Sequence, residues 1–202
     1  MSLALLVLAL FMPGCGGGDS QTLSPVSSSG TILAFGDSLT EGYGVAKADS
    51  YPSVLSRLSQ RKVINAGIRG EVTAQGLNRL SAVIDAHNPY LMILLEGGND
   101  ILRLYNLEET KQNLSSMIDV AKGKGVEVVL LGVPVLSSGL SVQVSPIYQA
   151  LAEEHDLVYD GDLIRDLLLT PAYKSDLVHF NKAGYQKMAE DIHQLLIDNG
   201  AL

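Results

Sequence analysis

The sequence predicts an α/β fold, a three-layer α/β/α sandwich on a five-stranded parallel sheet. Two observations carry that prediction. Short apolar runs recur about five times along the chain, and longer stretches with apolar residues at helical spacing separate them. Strands and helices alternating in this way imply a parallel sheet covered on both faces, and right-handed crossovers then give three layers.

Taken in order, residues 31–35 are apolar and stop at Gly36, as a strand does, and 45–58 have helical spacing. Residues 62–66 form a second short run before Gly67, and 72–87 are helix-like. The run 90–95 (YLMILL) is continuously apolar up to Gly97-Gly98, and 107–122 read as a helix with one polar side. Residues 126–133 (VEVVLLGV) read as a buried strand halted by Pro134. Residues 147–155 are helical, and 157–159 form a last short strand. The stretch 181–198 is a closing amphipathic helix with Gly200 just past its end. Ligands of such sheets bind at the carboxyl ends of the strands. Three Gly-rich polar segments follow strands here, GDSLTEG (36–42), GIRGEV (67–72) and GGND (97–100), so chemistry is expected along one edge.

Size and charge narrow the class. A chain of 202 residues suits one domain plus a short tail. With 47% apolar and 18% charged residues it is globular. Fourteen basic against 22 acidic residues leave a net charge of −8 with no Lys/Arg cluster, which argues against nucleic acid as a partner. The single cysteine, Cys15, excludes an intrachain disulfide.

Cys15 matters for its position. It follows the apolar run 3–12, too short to span a bilayer and of the right length for the core of a signal peptide. Gly14-Cys15 resembles the lipobox of bacterial lipoproteins, which implies an acylated thiol and a mature enzyme anchored to a membrane by lipid. The plainer alternatives are an ordinary cleaved secretion signal or an apolar N-terminal stub. The expectation is export, as a periplasmic or membrane-anchored envelope protein. Residues 16–30 (GGGDSQTLSPVSSSG) read as a flexible linker, so 1–15 is expected as signal peptide, 16–30 as linker and 31–202 as the folded domain.

Five residues suit acyl transfer. Ser38 follows the turn that ends the first strand, where its hydroxyl can be exposed at a helix start; with Glu41 three residues on, it also resembles a capping box. A serine nucleophile needs a base. His87, His155 and His193 have ordinary helix-end or surface readings, whereas His179 follows Asp176 by three residues in a loop, close enough for the carboxylate to orient the imidazole. Asn99, after two glycines, can donate its amide to a developing oxyanion, and Gly70 offers an unobstructed backbone N–H. Each of these has an alternative as a turn or cap residue.

Together the blocks GDSLTEG, NAGIRGEVT (65–73), GGND and DLVH (176–179) resemble, in order, the four blocks of the SGNH, or GDSL, hydrolase superfamily. The nearest likeness is to its bacterial arylesterase, thioesterase I and lysophospholipase subgroup. The resemblance implies the flavodoxin-like version of the sandwich and a serine esterase. Ser38 is then the nucleophile, His179 the general base and acid, and Asp176 its orienting carboxylate. Ser38 N–H, Gly70 N–H and Asn99 form the oxyanion hole. It implies a small acyl ester or thioester as substrate, and neither metal nor cofactor. Two departures stand out. The subgroup's Ser-Gly-Asp-Thr is Arg69-Gly70-Glu71-Val72 here, and Arg69 favours an anionic substrate unless Glu71 neutralises it. The stretch 136–145 lacks the subgroup's polar-aromatic loop near the acyl groove. Ile101, Leu102, Leu104 and Tyr105 cannot all face inward from one helical turn, so they are the candidate acyl-binding residues.

Three rival readings remain at this point. A phosphate- or nucleotide-binding module of the same fold class lacks the glycine spacing of such loops here and leaves Asp176–His179 unexplained. A carbohydrate O-deacetylase would use the same residues. A non-catalytic acyl-binding lipoprotein would leave them idle.

Overall fold

The computed structural model of the protein describes residues 22–136 and 142–202. Cys15 and the expected signal peptide lie outside the described residues, as do positions 137–141 of the variant loop.

The expected sheet forms. Strands β1 (Thr31–Gly36), β2 (Lys62–Gly67), β3 (Leu91–Leu95), β4 (Glu127–Leu131) and, after a short hairpin of β5 (Pro134–Leu136) and β6 (Val142–Val144), β7 (Val158–Asp160) appear in chain order. The five long-range strands run parallel in the order β2-β1-β3-β4-β7. Ile32 to Phe35 of β1 and Leu91 to Leu94 of β3 are wholly buried, which is why these segments are apolar without alternation. Each of these side chains other than Ala34 contributes about 1.5–3 kcal/mol on leaving water.

Helices α1 (Ser38–Glu41), α2 (Tyr51–Ser59), α3 (Thr73–His87), α4 (Gly98–Leu102), α5 (Leu107–Gly123), α6 (Pro146–His155), α7 (Leu163–Leu169) and α8 (Lys182–Asp198) cover the sheet. In this covering α2 packs on α8, and α5 packs on both α3 and α6. Among the described residues no helix is long and apolar enough to cross a membrane. The chain reverses its direction of winding between β1 and β3, which opens a crevice at their carboxyl ends. Gly67 closes β2 against α1: a Cβ there would meet Glu41 N at 2.1 Å, so only glycine lets α1 sit so low on the sheet edge.

Several boundaries differ from the sequence reading. The helix expected over 45–58 starts at Tyr51, after a 3₁₀ turn at Lys47–Asp49, because Pro52 is tolerated only in the first turn. The strand expected over 126–133 ends at Leu131, and Pro134 opens a hairpin rather than merely halting the strand. Helix α7 was not anticipated, although Leu163, Ile164, Leu167 and Leu168 recur at helical spacing and are all buried.

The linker expected over 16–30 does not extend through its second half. Leu23 N–H donates to Asn199 O at 2.7 Å and Val26 N–H to Ala201 O at 2.9 Å, and Val26 is only 4% exposed. Ser24 donates from both its N and its Oγ to the Glu127 carboxylate. Serine-rich composition suggested freedom, but two apolar anchors and backbone pairing hold the segment to the domain.

Candidate active site

The site is built where the crevice predicts it. Asp37 ends the β1 turn and caps α1, its Oδ1 accepting from Leu39 N at 3.1 Å. The cap is therefore Asp37 and not Ser38, so the capping-box reading of Ser38 with Glu41 does not hold. Ser38 becomes the first residue of α1, where its backbone N–H has no intrahelical acceptor and its side chain faces the crevice.

The chain returns to this point from the far end of the sequence. Ser38 Oγ lies 3.0 Å from His179 Nε2. His179 Nδ1 lies 2.8 Å from Asp176 Oδ2 and 3.1 Å from Oδ1. Asp176 also shapes its own loop, since Oδ1 accepts from Val178 N at 2.9 Å and His179 N at 2.8 Å, and Ser175 N closes the turn on His179 O at 3.0 Å. Burial pushes the Asp176 carboxyl up, but these two backbone donors and the imidazole outweigh it and hold the group below its ordinary value. Asp176 is thus kept as a carboxylate beside the ring. The Tyr43 ring rests against His179 with centroids 4.5 Å apart.

The two other Gly-rich segments face the same place. Gly70 has φ +77, a conformation that favours glycine, and Arg103 Nη2 donates to its carbonyl at 2.9 Å. Asn99, in α4, points Nδ2 at Glu71 O (2.9 Å) and Asp37 Oδ2 (3.3 Å). The buried Asp100 carboxylate ties α4 to α3, accepting from Thr73 N at 2.9 Å and Thr73 Oγ1 at 2.6 Å. Glu71 is buried and takes Arg79 Nε on both oxygens, at 2.7 and 2.8 Å. Burial, opposed by the Leu39 N–H and by His179, pushes the Asp37 carboxyl up to about 6. Glu96, fully buried, is raised well above its ordinary value by burial and by Asp37, Glu71 and Asp100. Neither Glu96 carboxylate oxygen meets a hydrogen-bond partner among the described residues.

A cleft of ≈ 100 Å³ opens beside Ser38 and His179, walled by Leu39, Leu102, Val133, Pro134, Ile164, Leu168 and Val178. Of the four candidate acyl-binding residues only Leu102 lines it. Ile101 turns into the core at 9% exposure, while Leu104, 91% exposed, and Tyr105 point to solvent. The expectation fails for these three because α4 is a single short turn, after which Leu104 takes φ +56 and turns the chain outward. The walls that sequence reasoning missed come from the β4–β5 junction and α7, segments whose proximity depends on tertiary structure. Among the described residues no cluster of His, Cys, Asp or Glu could hold a metal ion.

The arrangement can generate a serine alkoxide, hold an oxyanion and bury a small apolar group. Comparison with known proteins agrees in kind. Residues 34–187 match the GDSL-like Lipase/Acylhydrolase family. The chain is 31% identical over 158 residues to "Thioesterase 1/protease 1/lysophospholipase L1" of Escherichia coli K12, covering 75% of this chain and 76% of that one. It is also 31% identical to an arylesterase of Vibrio mimicus, over 72% of this chain and 76% of the other. The crystal structure of AlinE4, an SGNH-hydrolase family esterase, superposes with a TM-score of 0.66 at 32% identity, covering 84% of this chain and 96% of that one.

Proposed function

The chain belongs to the GDSL-like lipase/acylhydrolase family and is an ester-bond hydrolase, and from that premise we propose that Ser38, His179 and Asp176 carry the reaction. The observation that supports this most is the unbroken chain from Ser38 Oγ through His179 Nε2 and Nδ1 to Asp176, with contacts of 3.0 and 2.8 Å. His179 takes the Ser38 proton as Oγ attacks the acyl carbonyl. The charge that develops on the carbonyl oxygen meets the N–H groups of Ser38 and Gly70 and the Asn99 amide. Asp176, held ionised, stabilises the imidazolium. His179 then gives the proton to the departing alcohol or thiol, and water repeats the sequence on the acyl-enzyme.

The acyl part occupies the apolar cleft walled by Leu102, Val133, Ile164 and Leu168, which suits a hydrocarbon chain better than a sugar. Small acyl esters and thioesters are therefore the substrates, in keeping with the thioesterase, lysophospholipase and arylesterase names of the relatives. The test is hydrolysis of p-nitrophenyl esters from acetate to palmitate by the whole chain beside Ser38→Ala. Activity lost in the variant supports the assignment; equal activity in both removes Ser38 from the mechanism.

We further infer export and acylation of Cys15, on the apolar run 3–12 that precedes Gly14-Cys15. Mass spectrometry of the mature N-terminus tests this: a diacylglyceryl adduct on Cys15 is expected, and an unmodified start beyond Cys15 would refute the anchor.

A further inference from the structure

Two arginines flank the oxyanion glycine without an acid to answer them. Glu71, adjacent in sequence to Gly70, is the obvious partner for Arg69, but both its oxygens are taken by Arg79. Arg69 extends over the Tyr43 ring instead, its guanidinium carbon 5.3 Å from the ring centroid. Tyr43 in turn lies against His179. Arg103 spends one Nη2 contact on Gly70 O and keeps its other donors. Both side chains are exposed, and among the described residues neither forms an ion pair. Arg103 has a structural duty at Gly70, but Arg69, in a chain with net charge −8, makes no hydrogen bond or ion pair among the described residues that the fold would need.

Their side of the site is the one the cleft leaves free. The sheet order puts β2, and with it Arg69-Gly70, on one flank of β1, while Val133 and Pro134 of the cleft follow β4 on the other. An ester with its acyl chain in the cleft and its carbonyl oxygen at Gly70 must turn its leaving oxygen or sulfur toward His179, which protonates it. The rest of the leaving group then extends past Tyr43, where Arg69 waits.

We infer that Arg69 and Arg103 form an anion-recognition site for the leaving group. The preferred substrates are then esters or thioesters whose alcohol or thiol part carries a phosphoryl or carboxylate group. Guanidinium forks match either oxyanion in two-point contacts. An anion on Arg103 would also steady the Gly70 carbonyl that this residue already holds. The inference rests on the serine-hydrolase reading given above.

The test compares two esters with the same acyl group, p-nitrophenyl butyrate and 3-carboxy-4-nitrophenyl butyrate, with each rate corrected for hydroxide-catalysed hydrolysis. The wild type is expected to favour the carboxylated ester in kcat/KM. Arg69→Gln should lower that ratio about fivefold, Arg69→Glu should invert it, and high salt should erode it in the wild type more than in Arg69→Gln. Arg103→Gln also releases Gly70 and so slows both esters, but the ratio should still fall. A wild type without preference, or a ratio unmoved by both Arg69 variants, would overturn the inference. Ser38→Ala separates the two readings: hydrolysis surviving in it overturns the catalytic assignment and this inference together. Hydrolysis abolished in Ser38→Ala, with an unmoved ratio in the arginine variants, overturns the inference alone.

Discussion

Asn99 Nδ2 lies 3.3 Å from Asp37 Oδ2 while also donating to Glu71 O at 2.9 Å. An amide nitrogen has two hydrogens, so both are engaged in the resting site. An oxyanion gains this donor only by displacing the longer bond, the one to Asp37. In the proposed oxyanion hole this exchange would make Asn99 a group that binds the transition state and not the ground state. Asn99→Ala should therefore lower kcat by about 10²–10³ and leave KM within a few fold, as measured on p-nitrophenyl butyrate. A loss under tenfold would take Asn99 out of the oxyanion hole.

Beneath the proposed hole sit two carboxyls whose pKa values burial raises, and their titration has a definite sign. Glu96 is raised by burial first and then by Asp37, Glu71 and Asp100; Asp37 rises from 3.8 to about 6. Below their unfolded values, 4.5 and 3.8, both groups are protonated in either state, and their contribution to stability is complete. As pH rises from the unfolded values toward the folded ones, the unfolded chain ionises while the folded one stays protonated, so that contribution is lost, and the loss is complete once the folded values are passed. Glu96→Gln abolishes one titration without changing shape. Its melting temperature should match the wild type near pH 3.5 and exceed it by about 4 °C at pH 8. A pH-independent difference in thermal melts would show that Glu96 ionises as easily folded as unfolded.

The proposed catalytic residues were legible in the sequence because each is tied to a local device. Ser38 follows a strand-ending Gly-Asp turn, and Asp176 and His179 share one loop. Gly70 and Asn99 sit in Gly-rich segments at strand ends, where a parallel sheet collects its ligands. What the sequence did not show depends on long-range packing. Val133, Ile164 and Leu168 read as core residues, and nothing local marks them as walls of a cleft beside Ser38. Ile101 had the right neighbourhood but the wrong side of a single helical turn. The pairing of Glu71 with Arg79 rather than Arg69 was likewise invisible, because it requires α3 to bring Arg79 back over β1. The tethered segment 22–30 was misread for a different reason: two anchoring residues among serines barely alter composition.

Tyr43 is expected to act on the reaction through His179. Its ring sits 4.5 Å from the imidazole centroid, while its hydroxyl makes no hydrogen bond among the described residues. Its backbone carbonyl accepts from Tyr185 OH at 3.1 Å, a bond that side-chain changes leave alone. The ring, and not the phenol, should therefore hold His179 in line with Ser38. Tyr43→Ala is expected to lower kcat about tenfold, and Tyr43→Phe to restore most of the loss. Failure of Phe to rescue, in parallel assays of the two variants, would assign the effect to the hydroxyl instead.

Leu102 and Ile101 are neighbours with opposite duties, and paired substitutions can separate them. Leu102 is 52% exposed and walls the cleft, so truncating it removes little buried surface but much of the acyl contact. Each methylene withdrawn from water contributes about 0.8 kcal/mol, so the penalty should grow with chain length. Leu102→Ala is expected to lower kcat/KM for hexanoate esters about fivefold and for acetate less than twofold, with little change in melting temperature. Ile101 is packed in the core, and Ile101→Ala should cost about 2–4 kcal/mol of stability while leaving the shape of the chain-length profile intact. Chain-length profiles of both variants, taken beside urea unfolding curves, check the pair. A profile altered by Ile101→Ala and not by Leu102→Ala would put the acyl chain on the other face of α4.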